Sequence, residues 1–121
     1  MAVWQFKVDL IPTKWLETGH AVAELFPDDS YDAAAAWAHY PDEERLEKAI
    51  DATMPRSRSW HSDMTAWGDE ESSDIQLWRE AGRIESLGVR FDLRVPPSGL
   101  FSFVVDLAQK FELSLLVRES R

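Results

Sequence analysis

Residues 3–11 of the chain, "VWQFKVDLI", alternate apolar and polar positions. Trp4, Phe6, Val8 and Leu10 fall on one side, and Gln5, Lys7 and Asp9 on the other. That two-residue period predicts a half-buried strand with one apolar face. Pro12 ends it, because proline has no N–H to offer a ladder. The period changes to 3.6 in "PDEERLEKAIDATMP", where Leu46, Ala49 and Ile50 make a buried helical stripe. Acidic residues crowd its first turn and Arg45 and Lys48 follow, as the helix dipole favours. "SWHSDMTAWG" reads as a short helix capped by Ser59. Its Trp60, Met64 and Trp67 share one face at i, i+4 and i+7, and all three are assigned to the core with Trp4.

Two further strands flank the tight turn Ala81-Gly82, which predicts a hairpin. In the second of them Leu87, Val89, Phe91 and Leu93 oppose Gly88, Arg90, Asp92 and Arg94, and Gly88 marks an expected bulge. "PPSGLFSFVVDLAQKFE" is the clearest helix, with Ser98 as its cap, and "LSLLVRES" closes the chain as a strand. Residues 13–40 resist assignment apart from "SYDAAAAWAHY", whose alanines favour a helix.

The succession is strand, helical region, two strands, helix, strand. It predicts an α+β domain over 1–121 with a single antiparallel sheet and helices on one face. The order is the ferredoxin-like βαββαβ order, with a helical insertion after the first strand. An α+β meander of different order is the competing architecture.

Composition narrows the function classes. The 121 residues carry 13 Lys and Arg against 22 Asp and Glu, a net charge of −9. Phosphate binding needs a basic surface, so nucleic acid and anionic membranes are unfavourable partners, and a basic protein is a favourable one. With no cysteine there is neither a disulfide framework nor a thiolate site, which fits a cytoplasmic protein. The first residues lack the basic and apolar regions of a secretory signal, and no apolar run is long enough to span a bilayer.

Chemistry-bearing residues do not assemble into a catalytic motif. Asp69, Glu70, Glu71 and Asp74 have oxygen ligands for a hard cation, but their spacing does not match a calcium loop, and a solvated turn is the simpler reading. His20, His39 and His61 are far apart, and no nucleophile elbow or glycine-rich phosphate cradle is present. No cofactor or metal is expected, and the chain reads as a non-enzyme. Alternation instead leaves Gln5, Lys7, Asp9, Asp74, Gln76, Trp78, Arg90, Asp92, Arg94, Ser114, Leu116 and Arg118 on an uncovered sheet face. An aromatic residue on such a face is a contact candidate. The expected binding surface is therefore Trp78, Arg90, Asp92 and Arg94, with Asp69, Glu70 and Glu71 beside it.

The stretch "SWHSDMTAWGDEESSDIQLW", followed by "IESLGVRFDLR" and an apolar helix, resembles small bacterial proteins of the kind that serve as immunity proteins in toxin systems. The resemblance covers the carboxy-terminal half and rests on Trp60, Trp67-Gly68, Ile75 and Arg90-x-Asp92-x-Arg94. It implies a protein partner in the cytoplasm and no catalytic residue. The expected function is a protein-binding module acting through acidic and open-sheet surfaces. The alternative is a small-ligand or regulatory ferredoxin-like domain, with a homodimer through the sheet as one of its forms.

Overall fold

The computed structural model describes residues 5–94 and 98–117. Strand β1 (Gln5–Pro12) leads into helix α1 (Thr13–Glu17), two single 3-10 turns (Val22–Leu25 and Pro27–Asp29) and the short helix α2 (Ala34–Trp37). There follow α3 (Glu43–Thr53), β2 (Arg56–Ser57), β3 (Met64–Gly68), β4 (Asp74–Glu80), β5 (Arg83–Asp92), α4 (Ser98–Lys110) and β6 (Leu113–Val117). The strands form one open sheet in the order β2-β3-β4-β5-β1-β6, with every neighbouring pair antiparallel. The fold class is α+β, as the sequence pattern predicts.

One face of the sheet carries the core. Val8 and Leu10 of β1, Ile75 and Leu77 of β4, and Leu87, Val89 and Phe91 of β5 are all buried. Helices α3 and α4 meet this face. The Trp67 indole Nε1 donates to Asp51 of α3 at 2.8 Å, and the Phe91 ring lies 6.0 Å from Phe101 of α4. Leu46 and Ile50 of α3, with Val104, Leu107 and Phe111 of α4, complete the packing.

Five expectations are corrected. No helix forms over 59–67: after a bend, Met64–Gly68 run as β3, paired with β4 from Met64 opposite Trp78 to Gly68 opposite Asp74. Both sides of this strand are covered, with Met64 and Ala66 buried on one and Trp67 on the other, so it shows no apolar–polar alternation. Trp60 lies before the strand and is 61% exposed, not in the core. Gly88 makes no bulge: it stays in register between Asp9 and Gln76, and the irregularity falls at Trp78/Arg79. Leu93 lies past the end of β5 and is exposed. The Ala-rich segment yields only the four helical residues of α2. Trp4, Arg118 and the capping side chain expected at Ser98 lie outside the described residues.

A candidate functional site on the polar side of the sheet

The second sheet face is the one expected to meet solvent, and its charges are more deeply set than alternation predicts. Asp74 of β4 stands directly opposite Arg90 of β5, which stands opposite Lys7 of β1. Arg90 engages Asp74 in a fork, Nε donating to Oδ1 at 2.7 Å and Nη2 to Oδ2. Gln76 Nε2 donates to the same Oδ2 at 3.1 Å. Asp74 is consequently buried, a correction to its reading as a solvated loop acid. Two-pronged guanidinium–carboxylate contacts of this kind fix geometry as well as adding strength. One strand pair further along, Lys7 reaches Asp9 at 3.8 Å. Gly88 makes room for them. A Cβ there would lie 3.1 Å from Lys7 Cε and 3.2 Å from Asp9 Oδ1.

Asp92 anchors a second cluster at the end of β5. Arg94 Nε and Nη2 donate to its two oxygens at 3.0 and 2.9 Å, and Ser72 Oγ donates to Oδ2 at 3.0 Å. These partners, Arg94 above all, hold the Asp92 carboxyl well below the usual carboxylate range. The same Arg94 donates to the Glu71 carbonyl at 3.0 Å. Gln5 Nε2 donates to the carbonyls of Glu70 (3.0 Å) and Ser72, and the Asp92 amide donates to Ser73 Oγ at 2.8 Å. The acidic loop is therefore stitched to β1 and β5 through its backbone, while the Asp69, Glu70 and Glu71 side chains stay exposed. Asp69 steadies the turn itself by accepting the Glu71 amide at 2.9 Å.

An aromatic corner completes the face. Trp78 lies edge-on to Trp60 with ring centroids 5.4 Å apart, and the His61 ring lies 5.2 Å from Trp78. The bend before β3 holds this group: His61 Nδ1 accepts the Asp63 amide at 3.0 Å, and the His61 amide donates to Ser59 Oγ at 3.2 Å. Beneath Trp60 opens a hollow of about 190 Å³. Met64 and Ala66 line its apolar part, and Arg58, Asp69 and Glu70 line its polar part. A smaller hollow beyond Gln76 is lined by Trp78, Arg90, Lys7 and Tyr31. Tyr31 shows that the segment after β1 reaches over this face, so the face is open only in part.

The seven expected contact residues thus divide. Trp78, Asp69 and Glu70 surround the hollows, and Arg90 sits on the floor between β1 and β4. Asp92, Arg94 and Glu71 make a separate cluster in which Arg94 joins the Asp92 carboxylate to the Glu71 carbonyl. Sequence reasoning missed Trp60, His61, Met64 and Arg58 as members of the face. The available signal was the polar setting of Trp60 in "RSRSWHSD", which suits an exposed tryptophan better than a buried one.

The carboxylates of Asp74 and Asp92 on this face are paired with the guanidinium groups of Arg90 and Arg94. Among the described residues no group of three or more His, Asp and Glu side chains is placed to hold a metal ion. No helix among them is long and apolar enough to cross a membrane. Compared with known proteins, the chain matches no family model, no curated protein and no solved structure.

Proposed function

We propose that this chain is a non-enzymatic protein-binding module that takes a basic protein partner on the polar face of its sheet, as a toxin-neutralising immunity protein would. The carrying observation is Trp60, 61% exposed, edge-on to Trp78 above a hollow rimmed by Asp69 and Glu70. Large exposed aromatics beside a concavity supply most of the energy at protein interfaces, and a net charge of −9 accelerates encounter with a basic surface. The prealigned Arg90–Asp74 fork below gives the partner a rigid floor.

The same proposal takes β1, α3, β4, β5, α4 and β6 as a ferredoxin-like sandwich, extended at the β4 edge by β3 and β2. The order β4-β5-β1-β6 within the sheet supports it. The remaining parts of the reading are a cytoplasmic setting and a single domain over 1–121.

Affinity capture from cells of the native host tests the function, with wild-type and Trp60→Ala baits compared side by side. Because Trp60 is exposed, the variant retains its circular-dichroism spectrum. The expected result is a basic protein held by the wild type, released by salt and lost from the variant. A wild-type bait that holds nothing the variant loses overturns the assignment.

A further inference from the structure

At the end of the sheet away from the acidic loop, α1, the link between α2 and α3, and the end of α4 converge around a cleft of about 670 Å³. That volume lies within the roughly 300–1,000 Å³ typical of small-molecule sites. Trp15, Tyr40 and Phe111 supply its aromatic walls, and Lys14, Asp42 and Glu112 bring charges of both signs to its lining.

The walls are braced from behind. The Tyr40 hydroxyl donates to the Phe111 carbonyl at 2.9 Å, joining the α2–α3 link to the end of α4. The Thr13 amide donates to the Glu112 carbonyl at 2.9 Å, joining α1 to the same place. The Tyr40 ring packs edge-on against the buried Trp37 at 5.0 Å. On the opposite wall the Trp15 and His20 rings stack in parallel 4.5 Å apart, and His20 Nδ1 is held by Glu24 at 3.1 Å. A cleft whose sides are tied in this way is largely formed before a ligand arrives, which lowers the ordering cost of binding.

Burial first, then the negative charges of Asp42 and Glu112, push the Tyr40 hydroxyl well above its ordinary value. Asp42 and Glu112 both line the cleft. Glu112 also sits at φ 54°, a left-handed conformation that glycine adopts more easily at a helix end.

We propose that this cleft binds a small ring-bearing amphoteric molecule of the aromatic amino-acid class. The ring lies against Trp15 and Tyr40, the ammonium group meets Asp42 and Glu112, and the carboxylate meets Lys14. A purely apolar ligand makes no use of Lys14, Glu112 and Asp42, the last of which also pairs with Arg45 at 3.3 Å, and a polyphosphate faces two carboxylates against one ammonium. The site is independent of the recognition face, so either can fail without the other.

Calorimetric titration of the full chain with L-phenylalanine, L-tyrosine and L-tryptophan tests the proposal, with 3-phenylpropanoate, phenethylamine and L-alanine as probes lacking the amine, the acid or the ring. The expected outcome is saturable binding of at least one aromatic amino acid below 10 mM, weakened about tenfold or more by each deletion. Lys14→Ala and Asp42→Asn, both changes of side chains that reach solvent, weaken it similarly, while Trp60→Ala leaves it unchanged. The Trp15 indole N–H signal shifts with the same saturation curve. Absence of saturable binding by all three amino acids overturns the assignment. So does binding that is indifferent to the missing groups or to both cleft variants.

Discussion

Ala81 holds its side chain at φ 52°, in the left-handed region, and Gly82 follows at φ 80°. Two positive φ values in succession are what a type I′ hairpin turn requires, and they match the right-handed twist of β4 and β5. Sequence reasoning located this turn because glycine marks it, and the register closes on it with Glu80 opposite Arg83. Alanine is the poorer half of the pair, since a Cβ in the left-handed region costs roughly 1–2 kcal/mol. Ala81→Asn is expected to raise stability by about 1 kcal/mol in urea denaturation, because asparagine tolerates this conformation. Gly82→Ala is expected to lower it by about as much, and a Cβ there would touch nothing, so backbone conformation alone is probed. Equal midpoints for the two variants would contradict the turn geometry. Asp74 shows what single residues conceal. Its neighbours in sequence are loop acids, and only the cross-strand register with Arg90 reveals it as a buried partner.

At the scale of elements, patterns with polar residues along one face were legible and those apolar on both were not. Strand β1, helices α3 and α4, and the β4–β5 hairpin each show a clean period because the core claims one face and polar side chains the other, even where Gln5, Asp9 and Asp74 are buried. β3 lacks that contrast. Trp60, Met64 and Trp67 happen to fall at helical spacing, yet Met64 and Trp67 lie on opposite sides of a strand and Trp60 lies outside it. The segment 13–40 was unreadable for a related reason: it folds by capping one end of the sheet, with short helices too brief to show a period. The candidate face was legible in Trp78 and Arg90 and hidden in Trp60.

Strand β3 is fastened to α3 by the Trp67–Asp51 bond, and Arg56 of β2 grips the same carboxylate with Nε at 2.7 Å and Nη2 at 2.9 Å. Arg56 first, then Trp67, draw the Asp51 carboxyl down to about 2 from its ordinary 3.8. A lowered value in the folded state means the unfolded chain binds the proton first on acidification. The stability contributed by this carboxylate is thus complete above about pH 4 and disappears as the pH falls towards about 2. Asp51→Asn is expected to flatten that part of the acid-unfolding profile while keeping an acceptor for the indole. Asp51→Ala loses the acceptor too and is expected to cost about 1 kcal/mol at neutral pH, read from the denaturant midpoint. If Asn and Ala behave alike at neutral pH, the indole bond contributes nothing.

The whole molecule combines 22 acidic with 13 basic side chains, and that imbalance makes two opposite demands. Mutual repulsion among the surplus carboxylates works against the folded state, whereas the same field draws in a basic partner. Salt separates the two. Between 10 and about 150 mM ionic strength the screening length falls from about 30 to about 8 Å, enough to mute interactions across the surface. Exposed pairs such as Lys48–Glu44 and Arg45–Asp42 weaken over this range, but such pairs add little to stability. The Arg90–Asp74 fork is shielded from solvent, with Asp74 buried, and persists. Repulsion is therefore the larger quantity to be screened. The melting temperature is expected to rise with salt, by an amount equivalent to roughly 1 kcal/mol, while association with a basic partner slows over the same interval. Calorimetric scans at 10 and 150 mM sodium chloride check the first half, and association rates at the same two concentrations check the second. A melting temperature that falls with salt would mean that the surface ion pairs outweigh the surplus negative charge. The acidic excess would then exert no net field able to steer a partner.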